Sequence, residues 1–397
     1  MDRLKNPFTP GAGALPPELA GRGNIMEDGQ VLSKRTLLGK YEKSLLLIGL
    51  RGVGKTVLLR HLAERAREDG IVPIQMEMRN DASDVEELSV RIKEALCVLD
   101  FKSRVKSGVN QAFSVLKNFV KSLSVNIGDF GIAVETNPGL GNSGNMEYDL
   151  SEVLMASARA AKESDTAIGL YIDELQNMDI LALRGVIVAL HHAAQESLPL
   201  YLVGSGLPTI RGLIGKSKTY AERMFNYAEL GALSVTEVAD AVVGPMSANG
   251  ISVDDRAIDE VFAQSRGYPY FLQEYGYQLW LEAESPRITA EDVKRILPVV
   301  TARLDRNFFD VRFDRIANSE RRFLRAMAET GSPARMSDVA GFLGRTLGAL
   351  SPVRSSLIRK GMVYSPALGE IAFTVPLFAE YIKRVMPKDE SCHSFGN

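Results

Sequence analysis

The sequence predicts an α/β fold: a five-stranded parallel sheet with crossover helices, then a helical unit, then a C-terminal unit of helices and a hairpin. Three observations predict it. Short apolar runs alternate with helical patterns from Ser44 to Leu230, the mark of strands joined by helical crossovers. The octapeptide GLRGVGKT, Gly49 to Thr56, lies between one such run and a helical pattern. Strand signals vanish from Val235 and return only at GMVYSPALGEIAFTV, near the C-terminus.

Taken in order, the Pro- and Gly-rich residues 1–30 should be extended, with a helix near Val31–Tyr41. Strands are expected at Ser44–Gly49, Ile71–Met78, Ala167–Ile172, Pro199–Gly204 and Phe225–Leu230, each a short apolar run bounded by polar or Gly residues. The interval between the second and third strands is long. It holds helical patterns at Ala82–Asp100 and Val105–Leu123, then SVNIGDFGIAVET, which alternates at period two around Gly128-Asp129. That reads as a hairpin, followed by a Gly/Asn-rich loop through Gly144, so residues of about 100–147 form an insertion. Helical patterns dominate residues 233–318, and a third unit at 319–388 runs helix, helix, helix, hairpin, with 389–397 as a tail. That last order is the winged-helix order. The sheet-bearing core then spans 31–232.

Composition narrows the class. A chain of 397 residues can bury two or three cores. Its 45% hydrophobic and 24% charged residues are those of an ordinary globular protein. The net charge of −2 is unevenly spread: from Thr301 onward 15 Lys and Arg face 10 Asp and Glu, a net of +5 that leaves −7 for the rest. Two cysteines, Cys97 and Cys392, and four histidines supply neither a disulfide framework nor a zinc spacing. The N-terminus lacks the apolar core of a signal peptide, and no apolar run approaches the length of a membrane span. The expectation is a soluble, cytoplasmic protein with no membrane partner.

The octapeptide matches G-x-x-x-x-G-K-[ST], the P-loop of nucleoside triphosphatases, in the strand-to-helix context the motif requires. Gly49, Arg51, Gly52, Val53 and Gly54 would turn backbone N–H groups inward around phosphate oxygens, with Val57 following on the helix. Lys55 would reach the β- and γ-phosphates of ATP, and Thr56 would give its hydroxyl to Mg2+. The metal needs a carboxylate across the site. Asp173, ending the apolar run AIGLYID, suits that role. Its neighbour Glu174 suits polarising an attacking water, which points to hydrolysis. Ser205, at the end of the fourth strand, is placed to touch the γ-phosphate or that water, although VGSG also reads as a plain turn. Arg223, just before the fifth strand, could serve a neighbouring subunit's nucleotide, which implies a homo-oligomer; Arg211 competes for the role, and a surface arginine is the bland alternative.

GLRGVGKT, YIDELQNM, the sensor-like VGSG and the arginine before strand five occur in AAA+ order. Together they resemble the origin-initiator-type and STAND-type branch of P-loop ATPases. The resemblance covers nearly the whole chain, and it implies a five-stranded core, a helical lid and a C-terminal winged helix. Gly21-Arg22 resembles the Gly-Arg segment that lies by the adenine in this branch, with Gly23 where an acidic residue usually follows. Gly267-Tyr268-Pro269 resembles the lid's G-x-P, which places Pro269 at the nucleotide. Arg266 is only a neighbour of that motif, so a lid-borne catalytic arginine is not indicated.

In the third unit Ser351-Pro352 reads as a capped helix start and Gly361 as its end, leaving Arg354 and Arg359 outside for double-stranded DNA. Packing against the ATPase is the competing use of such a helix. The reading is an ATP-binding and ATP-hydrolysing switch that couples nucleotide state to DNA or to a protein partner. Its alternatives are a small-molecule phosphotransferase and a nucleotide-locked scaffold with little turnover.

Overall fold

The computed structural model describes residues 2–11, 13–79, 81, 83–102, 107–123 and 141–387. The chain divides into two compact units. One joins Arg22–Gly49 to Gly54–Leu230; the other joins Met1–Gly21, Leu50–Val53 and Gly231–Asn397.

The first unit runs α1 (Gly23–Leu37), β1 (Ser44–Gly49), α2 (Lys55–Glu68), β2 (Val72–Glu77), α3 (Ser83–Lys102), α4 (Ser107–Ser122), α5 (Met146–Glu163), β3 (Ile168–Asp173), α6 (Ile180–Gln195), β4 (Leu200–Gly206), α7 (Ile210–Ser217) and β5 (Phe225–Leu230). Its strands form one parallel sheet in the order β2-β3-β4-β1-β5. Every residue of β1, β3 and β4 is buried, as strands covered by helices on both faces must be. The chain leaves β1 for β2 at one edge and returns to place β5 on the opposite side of β1. Such a reversal opens a crevice at the carboxyl ends of the strands.

One sequence expectation changes here. The first helix starts at Gly23, not Val31, and ends at Leu37. Its glycines read as breakers, but Gly29 is a contact: a Cβ there would lie 2.6 Å from Leu62 of α2, so the two helices close only over a glycine. Helices α3 and α4 pack into the sheet's core. Leu88, Ile92, Leu96, Phe113, Leu116 and Phe119 belong to the same continuous apolar core as the sheet. The hairpin expected around Gly128-Asp129 lies outside the described residues.

The second unit continues with α8 (Val235–Ser247), β6 (Ser252–Val253), α9 (Asp255–Ser265), α10 (Pro269–Glu282), β7 (Arg287–Ile288) and α11 (Ala290–Leu304). Capping boxes start α8 at Ser234/Glu237 and α11 at Thr289/Asp292. Aromatics fill this core: Tyr268, Phe271, Tyr275 and Trp280 are buried. The N-terminal segment packs on them. Phe8 is buried against Gly276, Asn6 Nδ2 donates to the Tyr277 carbonyl at 3.1 Å, and Trp280 Nε1 donates to the Asp2 carbonyl at 2.8 Å.

A π-helical turn at Asp305–Asp310 carries the chain from α11 into α12 (Val311–Phe313). It presents Phe308 to Tyr270 and Phe309 to Phe378 and Tyr381. Then follow α13 (Asn318–Thr330), β8 (Ala334–Arg335), α14 (Met336–Leu343), α15 (Leu347–Arg359), β9 (Val363–Tyr364), β10 (Glu370–Phe373) and α16 (Phe378–Val385). The three strands form an antiparallel sheet in the order β8-β10-β9. Helix α15 corrects another boundary. It is capped by Thr346, whose hydroxyl accepts from Ala349 N–H, and Pro352 lies inside it. That proline removes one helical hydrogen bond, a loss tolerated while Leu350 and Leu357 stay buried. Gly361, at φ +64°, turns the chain out of the helix as its position predicts.

Candidate nucleotide-binding site

The chemistry gathers at the carboxyl edge of the sheet, where β1, β4 and β3 lie side by side. Gly54, at φ +91°, caps α2 and leaves the helix N-terminus facing the turn. Lys55 and Thr56 begin that helix, Lys55 being 5% exposed. Free N–H groups and the helix dipole make such a terminus an anion seat. Thr56 Oγ1 donates to Asp173 Oδ2 at 2.6 Å, and Glu174 N–H donates to Asp173 Oδ1 at 2.9 Å. Ser205 Oγ also donates to Asp173 Oδ1. The structure therefore brings together Lys55, Thr56, Asp173, Glu174 and Ser205 from separate stretches of sequence.

Glu174 sits in the left-handed region at φ +49°, a conformation that costs a non-glycine residue energy and recurs at functional sites. Its carboxylate accepts from Gln176 Nε2, while Gln176 Oε1 accepts from Leu207 N–H at 3.0 Å. Gln176 thus ties Glu174 to the turn after β4. Glu77, the last residue of β2, pairs in register with Asp173. Burial, then the charges of Asp173 and Glu174, push its carboxyl above the ordinary range. Neither Gln176 nor Glu77 was singled out by the sequence reading. The signals were modest: an amide in the turn of DELQNM and an acid closing IQME.

A hydroxyl beside carboxylates is a hard-oxygen set of the kind magnesium takes. Thr56 and Asp173 would hold the ion, and among the described residues no group of three or more His, Cys, Asp and Glu forms a metal cage. Phosphate oxygens and water would have to complete its shell, as is usual for magnesium.

The arginines separate. Arg223 is exposed in a short 3-10 turn just before β5 and makes no ion pair with a described residue. Arg211 is engaged within its own unit, paired with Glu229 at 2.7 Å and lying over the Tyr227 ring at 5.3 Å. Arg22 is buried at the start of α1.

The other unit holds the remaining residues. Val53 is buried, and Gly52, at φ +82°, has the Tyr268 ring 2.8 Å from where a Cβ would stand. Pro269 is the first residue of α10, where a missing N–H costs nothing. Gly267 is compulsory, since a Cβ would lie 2.1 Å from the Leu233 carbonyl. Arg266 pairs with Glu380. On α15, Arg354 donates to Ser365 Oγ in the hairpin, whereas Arg359 is exposed.

Comparison with solved structures bears on the fold. A Walker-type ATPase of Pyrococcus abyssi superposes with a TM-score of 0.55 at 16% identity, over 90% of this chain and 95% of that one. The chain shares the fold of that protein, a five-stranded parallel sheet flanked by helices and followed by further helices. Cdc6p of Pyrobaculum aerophilum (TM-score 0.48, 14% identity, 97% and 99% covered) and the RuvB Holliday junction branch migration motor of Thermotoga maritima (0.44, 17%, 89% and 92%) are more distant. Residues 306–382 match a family model described as a domain of unknown function, DUF8462. No similar sequence was found among curated proteins. No helix among the described residues is long and apolar enough to cross a membrane.

Proposed function

We propose that the chain is a magnesium-dependent ATPase that works as a switch, with its C-terminal unit reading out the nucleotide state to DNA or a protein partner. The observation that carries this reading is the Asp173 carboxylate, which gathers Thr56, Ser205 and the Glu174 backbone beside the buried Lys55. Lys55 would neutralise the β- and γ-phosphates, and Thr56 and Asp173 would position the metal, whose charge offsets that of the triphosphate. Glu174 would accept a proton from the attacking water, and Ser205 would hold the γ-phosphate or that water. Arg223, being exposed and outside any ion pair with described residues, is the better candidate than Arg211 for action on a second copy of the chain.

Segment 233–318 would serve as the helical lid and carry Pro269 as a nucleotide-binding residue, and Arg22 would lie by the adenine. Segment 319–388 would be a winged helix, supported by the order α13, β8, α14, α15, β9, β10. Exposed Arg359 and its neighbour Arg354 would meet duplex phosphates. A second reading, the nucleotide-locked scaffold, is favoured by the Glu174 side chain being held by Gln176. Steady-state ATP turnover with and without duplex DNA separates the two: DNA-responsive hydrolysis supports the switch, and tight binding without turnover supports the scaffold.

A further inference from the structure

The crown of the P-loop, Leu50–Val53, belongs to the same compact unit as the C-terminal two-fifths of the chain. Its carbonyls are held from that side. Tyr268 Oη donates to the Arg51 carbonyl, and Tyr270 N–H donates to the Gly52 carbonyl at 3.3 Å. In a trans peptide the C=O and the following N–H point in opposite directions. Holding the carbonyls of Arg51 and Gly52 therefore fixes the N–H groups of Gly52 and Val53 away from Tyr268 and Tyr270. A row of backbone N–H groups held in one orientation is what an anion-binding nest consists of.

The Tyr268 hydroxyl has a second acceptor. The carbonyl of Thr374, just past β10, lies 3.5 Å away. A phenol carries one proton, so donation to Arg51 and donation to Thr374 are alternatives. Burial holds the Tyr268 proton in place, raising its pKa above the usual tyrosine range. Thr374 is itself pinned to the base of the hairpin: its Oγ1 donates to the Gly361 carbonyl at 2.7 Å. The Arg51 side chain reaches the same turn, its guanidinium standing 2.5 Å from where a Cβ on Gly361 would be. One P-loop residue thus meets one C-terminal turn twice, through its carbonyl by way of Tyr268 and through its side chain.

We infer that Tyr268 is a positioning residue for phosphate binding, and that its single hydroxyl proton couples the P-loop crown to the turn at Gly361 and Thr374. The ligand class is a nucleoside di- or triphosphate, and the inference rests on the P-loop reading proposed above. When Tyr268 donates to Arg51, the Gly52 and Val53 N–H groups are pre-set and binding costs less ordering. When it donates to Thr374, the crown is released and affinity falls.

The test is Tyr268→Phe in the full chain, which keeps the ring against Phe271 and deletes only the donor. A fluorescent ATP analogue and ADP are titrated into wild type, Tyr268→Phe and Lys55→Ala, with thermal melts to confirm folding. Hydrogen exchange across residues 361–375 is followed with and without nucleotide. Tyr268→Phe should weaken both nucleotides about three- to tenfold, the worth of one hydrogen bond. It should raise KM without lowering kcat and abolish the nucleotide response of exchange at 361–375. Wild-type-like affinity together with an unchanged exchange response overturns the inference alone. Failure of wild type itself to bind either nucleotide better than Lys55→Ala overturns the P-loop reading and this inference with it.

Discussion

Thr56, on the first turn of α2, donates its hydroxyl to Asp173 at the end of β3, at 2.6 Å across 117 residues of sequence. A hydroxyl and a carboxylate already within hydrogen-bond distance need little rearrangement to share a cation. Asp173→Asn keeps the shape and loses the charge. Affinity for ATP with magnesium should fall about tenfold or more, the scale of a charge-assisted contact. Affinity in the presence of a chelator should hardly change. Equal losses with and without magnesium would make Asp173 a strut and not a metal ligand.

Glu77 offers a pH test of the same edge. Its carboxyl is raised by burial and then by Asp173 and Glu174, so the folded protein keeps that proton to higher pH than the unfolded chain. Stability from this group is therefore present in acid and lost as pH rises through the raised value. Glu77→Gln should flatten that slope and make the nucleotide-free protein slightly more stable at neutral pH. Because Glu77 is only partly desolvated and otherwise exposed to screening solvent, the gain should be only a few tenths of a kcal/mol. Urea melts across the acid-to-neutral range check it; a variant less stable than wild type at neutral pH contradicts it.

Glu320 behaves in the opposite sense. Burial works against its charge, but hydrogen bonds from Lys360, Ser356 and the Ala317 N–H outweigh that and lower its pKa below the usual carboxyl range. The three contacts are each 2.7 Å long and tie the start of α13 to the end of α15. Stability from this group is present above the unfolded carboxyl range and lost as pH falls through the lowered value. Glu320→Gln should cost about 1–3 kcal/mol at neutral pH and converge with wild type in acid. Equal neutral-pH unfolding midpoints would refute this.

If α15 meets DNA, its arginines should contribute unequally. Arg359 is exposed, whereas Arg354 is already bonded to Ser365. Each lost phosphate contact lowers the log–log salt slope by about 0.9. Arg359→Ala should therefore shallow the slope by about that much, and Arg354→Ala by less. Anisotropy of a labelled duplex across a salt series reads both. Absence of any binding at low salt, with or without ATP, would assign α15 to packing and the partner to a protein.

The sheet was largely legible in the sequence because its strands are buried on both faces. Apolar runs ending at Gly49 and Leu230 give β1 and β5 as found, and β2, β3 and β4 end within two residues of expectation. Asp173 was visible because a carboxylate ending an apolar run has few other uses. Helix starts were less legible. Gly29 and Pro352 read as punctuation, yet tertiary packing keeps both inside helices. Gln176, Glu77 and Tyr268 were not assigned these roles, because each acts through a partner far away in sequence: Leu207, Asp173 and Arg51 respectively. No local pattern records such a pairing.

The central claim is that Lys55 binds the phosphates while Glu174 acts only on the attacking water. The most direct measurement is ATP affinity and single-turnover hydrolysis for wild type, Lys55→Ala and Glu174→Gln under identical magnesium. Lys55→Ala should lose binding altogether, since the phosphate charge loses the P-loop's cation. Glu174→Gln should bind ATP within about twofold of wild type, since magnesium ligation survives, while turnover falls by about 10²–10⁴ for the loss of a general base. Equal loss of nucleotide affinity in both variants, or undiminished turnover in Glu174→Gln, would contradict the account.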